Sequence, residues 1–91
     1  MSGAPRLAPK ARLKWDRREG RYMVIFPERG LALSPSAAAI LELCDGARSN
    51  DTIAAELAAA HGADEETVRR DVRAFLDEMR RRGLVVHGDP A

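Results

Sequence analysis

Aromatic residues are nearly absent from this chain: one Trp, one Tyr and two Phe serve 91 residues. Its core must therefore come from Leu, Val, Ile, Met and Ala on amphipathic elements, and so little material leaves no deep cavity for a large cofactor. A single cysteine, Cys44, excludes an intrachain disulfide and supplies no set of soft ligands for a metal. The formal net charge is only +1, which weighs against non-specific nucleic-acid binding, where Lys and Arg must neutralise phosphates. No run of about 18 apolar residues exists, so nothing is expected to span a bilayer. The start of the chain lacks the apolar stretch of a secretory signal. The expectation is one soluble, cytoplasmic domain with neither a membrane nor a nucleic acid as partner.

What is present falls into an ordered pattern. Residues 1–10 carry small residues and two prolines with little apolar periodicity and read as a flexible tail. The folded domain is expected over 11–87, with 88–91 a second tail. Leu13 and Trp15 alternate with Lys14 and Asp16, predicting a short strand. Arg17-Arg18-Glu19-Gly20 is a polar turn, and Tyr22-Met23-Val24-Ile25-Phe26 predicts a second, better-buried strand. Pro27 ends it, Pro27-Glu28-Arg29-Gly30 reads as another turn, and Leu31-Ala32-Leu33 as a third, very short strand. This meander has at least one open edge.

Ser34-Pro35 then announces a helix, with Gly46 as its expected left-handed cap. Ser49 opens a second helix that Gly62 ends, and Asp64 caps a third. In that third helix Val68, Val72, Phe75, Leu76 and Met79 form an apolar stripe at the helical period. Gly83 closes it, and Leu84-Val85-Val86 can add a last strand. The fold class expected is α+β: a winged-helix-like domain, a three-stranded antiparallel sheet followed by three helices.

Reactive groups do not converge. His61 and His87 stand at element ends without partners, and no HExxH, CxxC or DxDxDG pattern occurs. Cys44 has no adjacent cation to lower its pKa and reads as a small buried hydrophobe. No catalytic constellation, metal site or cofactor is expected, so the chain does not read as an enzyme. Binding remains, on two surfaces. The open edge at Leu31-Ala32-Leu33 can accept another strand. On the third helix, a 100° advance per residue gathers Arg69, Leu76, Arg80 and Arg73 on one border of the apolar stripe, and Asp71, Glu78 and Arg82 on the other. The arginine border suits an acidic, partly apolar peptide. The bland alternative is a solvated face with ion pairs from Glu65 to Arg69 and from Arg73 to Asp77.

Several segments together carry a resemblance: Leu13-Lys14-Trp15-Asp16, Pro27-Glu28-Arg29, Leu33-Ser34 opening a helix, Ile40 to Gly46 (ILELCDG), Asp71-Val72 and Phe75-Leu76. From Pro9 to Leu84 the chain resembles the PqqD family of pyrroloquinoline quinone biosynthesis. That resemblance implies a non-catalytic domain that binds the precursor peptide PqqA and associates with the radical S-adenosylmethionine enzyme PqqE, which cross-links a Glu and a Tyr of the peptide. It also implies that the peptide joins the third strand and packs against the third helix. The peptide-binding residues expected are Gly30, Leu31, Ala32, Leu33 and Ser34, with backbone bonds from 31–33, together with Arg69, Val72, Arg73, Leu76 and Arg80. The competing reading, a DNA-binding winged helix with the third helix in the major groove, is disfavoured by Glu65 and Glu66 at that helix's start, which would repel phosphates.

Overall fold

A computed structural model of the chain describes residues 4–26 and 29–87. In chain order it comprises β1 (Pro5–Leu7), β2 (Arg12–Asp16), β3 (Arg21–Phe26), β4 (Arg29–Ala32), α1 (Pro35–Glu42), α2 (Asn50–His61), α3 (Glu65–Arg81) and β5 (Val85–His87). Strands β2, β3 and β4 form an antiparallel sheet in that order, and β1 pairs with β5 in a separate two-stranded sheet. This is the winged-helix-like α+β architecture, a sheet followed by three helices.

Local signals set most boundaries. Ser34, Ser49 and Asp64 each accept a backbone N–H three residues on, from Ala37, Thr52 and Thr67, at the starts of α1, α2 and α3. Gly62 ends α2 in the left-handed conformation at φ 62°. Gly46, expected to cap α1, does not. That helix stops at Leu43 in right-handed geometry, and Gly46 (φ 81°) lies in the following turn, its N–H donating to the Pro5 carbonyl. There the Asp45 carboxylate accepts from Ala47 and Arg48 N–H, so that side chain organises the chain reversal.

Two further sequence expectations are corrected. Residues 5–7 are not tail: β1 lies antiparallel to β5, Arg6 bridges to Asp45, and Pro5 is fully buried. Only three residues are involved and the partner strand is some 80 residues away, so no local pattern could announce the pairing. The second hairpin is also tighter than read, since Arg29 and Gly30 belong to β4 rather than to a turn. The Pro27-Glu28 part of that turn, the tail at 88–91 and residues 1–3 lie outside the described residues.

The core is aliphatic, as the composition demands. Val24, Leu33, Ile40, Leu41, Ile53, Val72, Leu76, Leu84 and Val85 are all buried, with Cys44 among them. Burial pushes the Cys44 thiol up to about 12, with the neighbouring Asp45 charge a smaller cause, and its S–H donates to the Ile40 carbonyl at 3.3 Å. It is a packing residue rather than a nucleophile.

Candidate functional site

Among the described residues strand β4 has one partner, β3, and one open side. The register sets Met23 against Ala32, Val24 against Leu31 and Ile25 against Gly30. The next pair along is Tyr22 with Leu33, whose N–H donates to the Tyr22 carbonyl at 3.0 Å. In an antiparallel ladder, hydrogen-bonded and non-bonded pairs alternate. Leu31 and Leu33 therefore turn their backbone groups toward β3, while Gly30 and Ala32 turn theirs to the free edge. The expected backbone contacts at 31–33 thus shift to the other phase. Leu31 and Leu33 act through side chains on the core face, and Gly30 and Ala32 carry the unpaired donors and acceptors. Ser34 is exposed and occupied as the α1 N-cap.

Beside this edge runs a seam with α3. At one end a hollow of about 380 Å³ is lined by Phe26, Gly30, Leu31, Arg82 and Leu84. A second, apolar crevice of about 220 Å³ lies among the three helices, with Ser36 and Ile40 of α1, Leu57 and His61 of α2, and Val68, Asp71 and Val72 of α3 on its walls. Ascending numbers from β4 into α1 meet descending numbers on α3. Both hollows lie against α3, one at its C-terminal end beside β4 and the other nearer its N-terminal end beside α1 and α2. By the helical period the α3 border of the seam holds Asp71, Phe75, Glu78 and Arg82. Glu78 accepts from Arg82 Nε at 2.9 Å and Arg81 at 2.6 Å, and these bonds hold its carboxyl below the usual range. Two guanidiniums sharing one carboxylate leave this end net positive.

The other border, singled out from sequence, faces elsewhere. Arg69 sits 3.4 Å from Asp51 of α2 and pairs with Glu65 and Glu66 on its own helix. Leu76 and Val72 are fully buried, so neither is an exposed apolar spot between arginines. Helix α2 covers that side of α3, which the wheel of α3 alone could not reveal. Arg73 and Arg80 are exposed on the Arg69 border, and Arg80 stands 3.9 Å from Asp77. The anticipated Glu65–Arg69 pair forms; Arg73 to Asp77 is not among the ion pairs of the described residues. Phe26, Arg82 and Leu84, which line the hollow beside β4, are not among the peptide-binding residues expected from the sequence. The available signal was the position of Arg82 on the border opposite Arg69, unresolved until the neighbours of α3 were known.

Among the described residues no group of His, Cys, Asp and Glu is arranged to hold a metal ion. His61 is exposed at the end of α2; His87 is half-buried in β5 with its Nδ1 unpartnered, not an exposed end as expected. An open strand edge, an apolar seam and a cationic end define a winged-helix-like recognition domain. Residues 21–85 match the family described as "Coenzyme PQQ synthesis protein D (PqqD)", and the chain belongs to this family of non-catalytic recognition elements. It is 41% identical over 81 residues to a "PqqA binding protein" of Rhodopseudomonas palustris (strain TIE-1), covering 89% of this chain and 79% of that one. Its fold is similar to the solution structure of the PqqD truncation of Methylobacterium extorquens PqqCD, a stand-alone recognition element for ribosomally synthesized, post-translationally modified peptides. The TM-score is 0.80 at 28% identity, with 91% and 88% of the two chains covered. The lasso peptide synthetase B1 complexed with its leader peptide shares the fold at TM-score 0.76 and 21% identity, with 91% and 98% covered.

Proposed function

We propose that this chain binds the precursor peptide PqqA as an added strand on β4 and presents it to the radical S-adenosylmethionine enzyme PqqE. As a PqqD-family member the chain is a peptide chaperone and not an enzyme, acting on a precursor peptide for a radical S-adenosylmethionine partner. The observation that carries the specific reading is the phase of β4: Gly30 and Ala32 offer backbone groups to an incoming strand directly beside the apolar seam. Those bonds would fix the peptide's register, and alternate side chains would drop between β4 and α3 onto Leu31, Phe26 and Leu84. The guanidinium of Arg82 favours an acidic residue at that end, and the exposed Arg73 and Arg80 add long-range attraction. Ordering a flexible peptide costs conformational entropy, so affinity is set by few anchors, and holding the peptide near the enzyme raises its local concentration.

Titration of isotope-labelled protein with synthetic PqqA, followed by backbone amide NMR, tests the reading. Signal changes concentrated at Gly30 to Ser34, Phe75 and Arg82 are expected. Changes confined to α2 or the β1–β5 sheet, or an unmoved spectrum at saturating peptide, would overturn it.

A further inference from the structure

Alternation along the strands gives the three-stranded sheet two unlike faces. Leu13, Trp15, Tyr22, Val24, Leu31 and Leu33 share the core face, where Trp15 meets Tyr22 edge to face at 5.0 Å. On the opposite face the register sets Arg12, Ile25 and Gly30 in one cross-strand row, and Lys14, Met23 and Ala32 in the next. Met23 and Ile25 are half-buried there, while Arg12, Lys14, Gly30 and Ala32 are exposed. The two outward positions of β4 carry almost no side chain: none at Gly30 and a single methyl at Ala32. Over Gly30 lean the Met23 terminal methyl and Ile25 Cδ1, which fill the place where a side chain of β4 would stand. The outer side of the β4 edge is thus formed by side chains of β3.

We propose that Met23 and Ile25 form a second, outer-face contact for the precursor peptide and select an apolar side chain at the peptide position opposite Gly30. The proposal rests on the strand-addition reading above. Gly30 and Ala32 turn their backbone groups to the free edge, so residues of an added strand stand directly opposite them. Opposite residues share a face of the sheet. Those peptide residues therefore point outward, while their neighbours enter the seam beside α3. Cβ atoms of opposite residues lie about 5 Å apart. Because the Met23 methyl sits near the place of a Gly30 Cβ, a peptide side chain longer than alanine at that position meets the thioether. A bulkier residue at 30 would take that contact for β4; glycine passes it to β3. Methionine suits the role, since its unbranched thioether adapts to the shape of an apolar neighbour. Arg12 and Lys14 end the two rows and have no ion pair with any described residue, so this face favours acidic over basic residues elsewhere on the strand. With one set of peptide side chains against α3 and the alternate set against β3, consecutive peptide residues are read rather than every second one.

Protein labelled at the Met and Ile methyls is titrated with unlabelled synthetic PqqA and followed by NMR, with backbone amides recorded on the same samples. The Met23 and Ile25 methyl signals are expected to shift, and the Met23 methyl to show nuclear Overhauser contacts with side-chain protons of one apolar peptide residue. Isothermal titration with PqqA then compares the unaltered chain, Met23→Ala and Met23→Leu, each also melted thermally. Met23→Ala is expected to bind about fivefold or more weakly, and Met23→Leu within about twofold of the unaltered chain. Against a PqqA peptide with that apolar residue replaced by serine, Met23→Ala is expected to cause no further loss. Movement of the Gly30 and Ala32 amides without any Overhauser contact from Met23 to the peptide overturns the proposal and leaves strand addition standing. So does unchanged PqqA affinity in a folded Met23→Ala. If that variant fails to fold, the Overhauser contacts of the unaltered chain still decide. A spectrum unmoved at saturating peptide overturns the proposal together with the strand-addition reading beneath it.

Discussion

The Met23 side chain of β3 reaches diagonally over Gly30 of β4, so close that a Cβ at Gly30 would stand 2.9 Å from the methionine methyl and 3.3 Å from Cδ1 of Ile25, the residue paired with it. The bare backbone lets two apolar side chains fold over the edge strand and keeps the peptide-facing edge slim. Gly30→Val is expected to destabilise the protein by about 1–3 kcal/mol, the usual cost of overpacking. Met23→Ala is expected to relieve part of that cost. A double-mutant cycle by urea unfolding reads the coupling; equal costs in both backgrounds would mean that the flexible Met23 simply swings aside.

Ala32→Pro separates the edge from the ladder. The Ala32 N–H faces away from β3, so proline there costs the sheet no hydrogen bond and is tolerable on an edge. The protein is expected to stay folded by circular dichroism and to bind PqqA about tenfold or more weakly, from one lost bond worth roughly 1 kcal/mol and the bulk of the ring. Leu31→Pro removes a bond to Val24 instead and is expected to destabilise the sheet itself. Unchanged affinity in Ala32→Pro would rule out strand addition at this edge.

These two positions mark how far the sequence could be read. The strand at Leu31-Ala32, the helix starts at Ser34, Ser49 and Asp64 and the buried stripe of α3 all follow from periodicity and capping, which act within a few residues. The phase of β4 was not legible, because alternation shows which side chains are buried but not which backbone groups are already bonded. Nor was the orientation of α3. Its wheel has two charged borders, and only the packing of α2 against Arg69 tells which one is left to face β4. β1 escaped for the related reason that its partner is distant in sequence.

The two borders of α3 make opposite predictions. Arg69 is half-buried and engaged with three carboxylates, yet all of those are exposed. Arg69→Ala is therefore expected to cost at most about 1 kcal/mol of stability and to change PqqA affinity by less than about twofold. Arg82→Glu places a like charge beside Glu78 at the cationic end of the seam. It is expected to weaken binding of an acidic peptide about fivefold to tenfold and to reduce the salt dependence of that binding. Isothermal titration at two ionic strengths distinguishes the variants. A larger loss from Arg69→Ala than from Arg82→Glu would reassign the peptide to the α2 side.

Stability should form a plateau across neutral pH with a distinct cause at each end. Asp45 is held below the usual carboxylate range by the Ala47 and Arg48 N–H groups, Asp64 by Thr67 and Glu78 by Arg82 and Arg81. A depressed folded pKa gives stability that is complete above the unfolded value and is lost as pH falls through the folded one. The acid limb is therefore expected below about pH 4. Cys44 has the opposite sign: burial raises it from 9.0 to about 12, so its contribution is complete below the unfolded value and is lost as pH rises from about 9 toward 12. Urea midpoints measured across pH for the unaltered chain, Asp64→Ala and Cys44→Ala separate the two. Asp64→Ala is expected to flatten the acid limb, since its cap is already lost, and Cys44→Ala the alkaline one. An alkaline limb of the same slope in Cys44→Ala would assign that loss to other groups.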